Sequence, residues 1–193
     1  MYLESALIKE VRRKDRKALE ELHDRFAPSL LGICLRYCGN RPDAEDVLHD
    51  SFIRIITHLD SFEERPDCSF EGWMKRITVH TALNFLRDKN RKFRWIDPDP
   101  VPEIPDEDDD EELTLAGLAG HLNKEEILSM IFDLPPGYRS VFNLYVFEQY
   151  SHREIAETLS CTENTSKSQL SKARSLLRKK IAEVLNQQNH CYK

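Results

Sequence analysis

The sequence predicts an all-α protein of two small helical domains joined by an acidic linker, and three observations carry that prediction. Only six of 193 residues are glycine, 32% are charged and 40% are hydrophobic, a balance that favours a soluble, helix-rich chain over a barrel or sandwich. Apolar residues recur at three- and four-residue spacing in both halves, the period of a helix with one buried face. Between the halves, Asp97 to Glu112 has four prolines in its first nine residues and ends in an unbroken acidic run, so it neither starts a helix nor buries a core.

The expected divisions are residues 1–96, a linker at 97–122 and residues 123–193. Each flank is long enough to bury a modest core of its own. Charge follows the same divisions. The net charge of −6 resolves into 18 Lys+Arg against 16 Asp+Glu over residues 1–96, ten acids and no base over 97–112, and ten bases against eight acids from 113 onward. The acidity therefore belongs to the linker, which self-repulsion would keep extended over about 80 Å at most.

In the first half, Leu19, Leu22, Phe26, Leu30, Ile33 and Tyr37 mark a helix behind a cap at Asp15, with Pro28 placed to kink it. A second helix opens near Pro42 and runs through Ala44, Leu48, Phe52, Ile55 and Leu59 to about Asp60. Glu63 to Ser69 is polar and contains Pro66, the pattern of a loop, after which Phe70, Trp73 and Ile77 open a long helix to about Lys92. Beyond the linker, Asn123 to Glu126 and Ser151 to Glu154 each have the form of a capping box and so mark helix starts. Pro135 and Pro136 precede a helix near Tyr138 to Phe147. The last two helices, 151–160 and about 163–185, are separated by Cys161 and Thr162, the spacing of a helix-turn-helix.

Three surfaces carry candidate chemistry. In the last helix, up to residue 180, Lys167, Lys172, Arg174, Arg178, Lys179 and Lys180 oppose only Glu163, while Leu170, Ala173, Leu177 and Ile181 form the buried stripe. Read as a recognition helix, it places Lys167, Ser168, Gln169, Ser171 and Lys172 toward base edges and Arg174, Arg178 and Lys179 toward phosphates. A solvated basic face complementing the helix dipole is the competing reading. A second basic region, Lys75, Arg76, Arg87, Lys89, Arg91, Lys92 and Arg94, is interleaved with Trp73, Phe85, Phe93 and Trp95, a mixture that suits unstacked bases. Trp73 and Phe85 are equally compatible with a core. By contrast, Asp43, Glu45, Asp46 and Asp50 give the 42–60 helix an acidic face that repels phosphate and calls for a different partner, or for none beyond solvent.

Other classes of function find less support. The five cysteines are odd in number and scattered, which argues for a reducing compartment; Cys34 and Cys38, one turn apart, could join His23 or Cys68 at zinc, although buried helical cysteine more often acts as a small hydrophobe. No metal, cofactor or catalytic residue is assigned. No apolar stretch approaches the roughly 20 residues that span a bilayer, and Met1 to Glu4 does not resemble the start of a signal peptide, so the expectation is a cytoplasmic protein without membrane insertion.

These residues resemble the bacterial RNA polymerase sigma factors, in particular the short extracytoplasmic-function (ECF) group that keeps only regions two and four. Asp43 to Phe52 is similar to the family's core-polymerase-binding helix, and Phe70 to Arg87 to its promoter-melting and minus-ten segment. Leu134 to Phe142, Ser151 to Leu159 and Thr165 to Arg174 are similar to region four. The resemblance implies that Asp43, Glu45, Asp46, His49, Asp50 and Ile53 dock the core polymerase. It implies that the loop Arg65, Pro66, Asp67, Cys68 and Ser69, with Trp73, Lys75, Arg76, His80, Asn84 and Arg87, binds the minus-ten strand and captures a flipped base. Thr165, Lys167, Ser168, Gln169, Ser171, Lys172, Arg174 and Arg178 would read the minus-thirty-five duplex. The linker would thread the RNA exit path, and an anti-sigma factor is an expected partner. Two departures stand out: Asn164 where the family usually has glycine, and Ser166 where it has an apolar residue. The rival readings are a stand-alone helix-turn-helix regulator, which leaves the first half unexplained, and a metal-dependent enzyme using the acids of the 42–60 helix, which lacks a histidine motif or phosphate loop.

Overall fold

The structure is a computed structural model, and it describes residues 2–65, 69–89 and 122–190. The chain divides into two compact units, Met1–Asn90 and Arg91–Lys193. Among the described residues the regular structure is helical. The linker lies outside them except for Leu122, as do Arg91, Lys92, Phe93, Arg94 and Trp95.

The first unit contains α1 (Tyr2–Arg12), α2 (Arg16–Cys38), α3 (Arg41–His58), a 3-10 turn (Leu59–Ser61) and α4 (Phe70–Lys89). The predicted cap at Asp15 accepts from the Ala18 amide at 2.9 Å, and Gly39, at φ 78°, ends α2 in the left-handed conformation that glycine adopts without a Cβ clash. Helix α2 continues through Pro28 without interruption. Its apolar face, Leu22, Phe26, Leu30, Ile33 and Tyr37, packs with Ala44, Val47 and Ile55 of α3 and Met74, Ala82, Leu83 and Leu86 of α4. Two expected core positions slip by one residue: Ala18 and Val47 are buried where Leu19 and Leu48 were expected, and those leucines are half-buried. A helix turns about 100° per residue, so a stripe centred on 44, 47, 51 and 55 leaves position 48 at its margin. Helix α1, for which the periodicity gave no expectation, buries Leu7, Ile8 and Val11. Its Arg12 reaches across to donate to the carbonyls of Leu59 at 3.1 Å and Phe62 at 2.8 Å, tying down the 3-10 turn.

The second unit contains α5 (Lys124–Phe132), α6 (Pro136–Phe142), a π-helical turn (Asn143–Phe147), α7 (His152–Leu159) and α8 (Glu163–His190). Both capping boxes form, Asn123 with Glu126 and Ser151 with Glu154. The helix expected over 138–147 departs from the α pattern in its last turn. There the Glu148 amide bonds back to Asn143 at 3.2 Å and the Tyr150 amide to Leu144 at 2.9 Å. Helices α7 and α8 form the helix-turn-helix, whose turn is made by Ser160 in the left-handed conformation at φ 54°. Ile131, Val141, Phe142, Leu144, Ile155, Leu170, Ala173 and Leu177 fill this core, while Ile181 is only half-buried. None of the described helices is long and apolar enough to cross a membrane.

Candidate polymerase and nucleic-acid interfaces

The acidic helix of the first unit begins with Asn40, whose side chain accepts from the Asp43 amide at 2.9 Å and donates to the Asp43 carboxylate at 2.6 Å. Lys89, at the far end of α4, forms an ion pair with the same carboxylate. Lys89 first and Asn40 second hold the Asp43 carboxyl below the ordinary range. Asp43 therefore ties the start of α3 to the end of α4. Glu45 pairs with Arg41 at 2.7 Å on the surface. Asp46, His49 and Asp50 stand exposed, and Ile53 continues their face at 51% exposure. Ile56, at 38%, adds a second apolar group that the sequence reading missed. A helix that leaves two isoleucines in water beside three polar groups has the composition of a docking surface.

On the adjoining face of α3 and α4 lies a cleft of about 260 Å³, lined by Arg54, His58, Trp73, Arg76, Ile77, His80 and Thr81. It brings together Trp73, Arg76 and His80, three of the expected minus-ten residues. Arg54 and His58 were missed, although their i,i+4 spacing on α3 places them on one face. Trp73 serves two purposes at once. It is half-buried against Phe62, at 5.2 Å between ring centroids, and nearly parallel to Phe70 at 6.0 Å, yet it also lines the cleft. The packed rings hold the indole in place at the cleft wall. Loss of solvent, and then the Arg76 charge, push the His80 pKa below its ordinary value, so the imidazole favours its neutral form, able both to donate and to accept.

The remaining minus-ten candidates lie elsewhere. Lys75 is paired with Glu71 at 2.8 Å, and Arg65 with Glu63 at 2.9 Å. Half-buried Asn84 and exposed Arg87 lie further along α4, beyond the lining residues. Ser69 Oγ accepts from the Gly72 amide at 3.1 Å and caps α4. Pro66, Asp67 and Cys68 fall outside the described residues.

In the second unit α8 exposes Lys167, Ser168, Ser171 and Arg178, with Thr165, Lys172 and Arg174 half-exposed beside them. Gln169 is a correction. It is 5% exposed and its amide lies against Gly137, where an added Cβ would come 3.5 Å from the Gln169 Oε1, so it packs α8 onto α6 instead of facing outward. The Thr165 amide donates to Thr162 Oγ1 at 3.1 Å and the two hydroxyls lie 2.9 Å apart, which makes this pair the cap of α8. Asn164, one of the two departures, lies within the first turn of α8, and the left-handed residue of the turn is Ser160. Ser166, the other departure, is fully buried, with its Oγ 2.9 Å from His152 Nδ1.

Cys34 and Cys38 are buried, and desolvation first, then the neighbouring Cys38, pushes the Cys34 pKa up to about 12. Their burial on the inner face of α2 is that of small apolar side chains. His23 lies against Phe52 at 5.0 Å between ring centroids, with the rings tilted by 39°, and Cys68 is outside the described residues. No cluster of three metal-ligating side chains occurs among the described residues.

Comparison with known proteins matches this arrangement. The family described as Sigma-70 region 2 matches residues 22–92, and that described as Sigma-70, region 4 matches residues 124–177, so together they cover more than half the chain. The ECF RNA polymerase sigma-E factor of Haemophilus influenzae is 29% identical over 94% of this chain and 97% of its own. The ECF sigma factor SigW of Bacillus subtilis is 26% identical over 92% and 96%. Among solved structures, the sigma factor RpoE from Bartonella quintana, crystallised with the anti-sigma factor NepR, has a similar fold, with a TM-score of 0.51 and 19% identity over 84% of this chain and 96% of its own. With a region 2 bundle, a region 4 helix-turn-helix and full-length relatives of this kind, the chain belongs to the extracytoplasmic-function group of the bacterial sigma-70 family.

Proposed function

We propose that this chain directs core RNA polymerase to a subset of promoters and stabilises strand separation there, with its three surfaces divided by chemistry. The exposed side of α3, Asp46, His49, Asp50, Ile53 and Ile56, docks on the polymerase. The basic and aromatic cleft takes an unstacked base of the minus-ten strand, with Trp73 as the stacking surface, Arg54 and Arg76 as phosphate partners, and His58 and His80 as hydrogen-bonding groups. The exposed side of α8, Lys167, Ser168, Ser171 and Lys172, meets the minus-thirty-five duplex in its major groove, while Arg174 and Arg178 contact phosphate. No step requires catalysis or a cofactor, because binding energy alone drives opening. Work of this kind on the polymerase places the protein in the cytoplasm. An anti-sigma partner of the kind crystallised with the Bartonella quintana protein fits the same family pattern.

The observation that carries this reading is the convergence of Arg54, His58, Trp73, Arg76 and His80 on one cleft. Strand opening can be followed with a fluorescent base analogue in the minus-ten element and core polymerase present. The wild-type chain should raise the fluorescence, whereas Trp73→Ala should reduce the amplitude on the order of 10-fold, since base stacking is worth about 1–3 kcal/mol. Full opening by that variant would contradict the role given to the cleft.

A further inference from the structure

Arg174 is not an ordinary surface cation. Its guanidinium carbon lies over the Tyr145 ring, 5.6 Å from the centroid, and its Nε is buried without a hydrogen-bond partner. The Tyr145 ring has a second partner as well. The Tyr145 and His152 rings stack at 4.9 Å and 26°, and His152 is fixed in turn by the contact of its Nδ1 with Ser166 Oγ. Four side chains from three elements, the π turn, α7 and α8, are thus joined by successive contacts: Ser166 to His152, His152 to Tyr145, and Tyr145 to Arg174. The π turn is what supplies Tyr145, since its wider hydrogen-bond spacing changes the direction in which the residues after Phe142 point, and such turns recur at functional sites.

Each member has a physical reason to be there. A guanidinium over an aromatic face is attracted by the ring's negative quadrupole and loses little hydration in settling there. A neutral imidazole stacks on a phenol ring without adding charge beside the cation, and desolvation, then Lys167 and Arg174, keep His152 toward that neutral form against the opposing pull of Glu163. Ser166 in place of an apolar residue is then explained, since a buried hydroxyl needs a partner and the imidazole provides it.

We infer that Tyr145 and His152 are positioning residues for DNA binding, a stack that holds the Arg174 guanidinium in the orientation from which it engages the promoter duplex. This rests on the proposal that Arg174 faces DNA. Neither ring need touch the nucleic acid. Preorganising a long, flexible cation removes the ordering cost that binding would otherwise incur.

The test uses the full chain assembled with core polymerase and measures affinity for a minus-thirty-five duplex over a range of salt concentrations. Arg174→Ala should weaken binding on the order of 10-fold and lower the salt slope by about one, as loss of one phosphate contact does. Tyr145→Leu, which keeps an apolar side chain and removes the ring, should reproduce most of both effects. Tyr145→Phe should restore wild-type behaviour, because the ring and not the hydroxyl carries the contact. Combined with Arg174→Ala, Tyr145→Leu should add nothing further. If Arg174→Ala weakens binding and Tyr145→Leu does not, or if the two losses add in full, the positioning stack is overturned while the placement of Arg174 at DNA stands. If Arg174→Ala binds like the wild type with an unchanged slope, both fail.

Discussion

At the residue scale, several side chains do work that their sequence context did not announce. Asp43, Gln169 and Ser166 were read as a docking acid, a base reader and an unexplained departure; Asp43 also ties two helices together, Gln169 packs against α6, and Ser166 anchors a half-buried imidazole. Periodicity places a residue on a face but does not say which neighbour from another element meets it there. His152 was missed because a histidine beside a capping serine looks like an ordinary first-turn residue. Its depressed pKa has a definite consequence for stability. The folded domain holds the imidazole toward its neutral form while the unfolded chain titrates near 6.5, so between the two values the unfolded state binds more protons. Stability is therefore intact above the unfolded value and falls as pH drops toward the folded one. The thermal midpoint should decrease between about pH 7.5 and about pH 5.5, and His152→Gln should flatten the decrease. His80 has the same sign in the first unit, so His80→Gln serves as a parallel measurement. A decrease of unchanged slope in both variants would contradict these assignments.

At the element scale, the helices were legible where apolar spacing and capping chemistry agreed. The Asp15 cap, both capping boxes, the proline start of α6 and the two helices of the helix-turn-helix follow from local physics that tertiary structure did not override. The π turn was not legible, since Asn143 to Phe147 reads as ordinary helix and only the long amide bonds reveal the change. Nor was the cleft, which needs side chains from α3 and α4 on one face. Helix α3 divides its labour along its length. Its first turn is committed to the Asn40, Asp43 and Lys89 tie, and its middle and end are free to meet a partner. Ile53→Asp should therefore reduce affinity for core polymerase on the order of 10-fold or more with little change in thermal stability. Asp43→Ala should do the reverse, with a modest stability loss of about 0.2–1 kcal/mol and a smaller effect on polymerase binding. Pull-down of core polymerase, paired with thermal melts of each variant, separates the two. Equal losses of polymerase binding would show that the tie and the docking face are not distinct.

At the scale of the whole molecule, the division into two helical units was the most legible feature of all, because proline and like-charge repulsion exclude a core from residues 97–112 regardless of what flanks them. In the proposed function the flanking units divide the work between one duplex-reading surface and one that combines polymerase docking with strand capture. The proposed duplex-reading surface is small. Four exposed side chains and three half-exposed ones on α8 give an electrostatic footprint that salt would readily weaken. Promoter selection is thus expected from the assembly, with polymerase holding both units over their DNA elements at once. Transcription in vitro with purified core polymerase and a library of promoter sequences tests this most directly. The account predicts that the chain binds core polymerase and shifts the start sites to promoters sharing two short elements at a fixed spacing; start sites identical with and without the chain would contradict it.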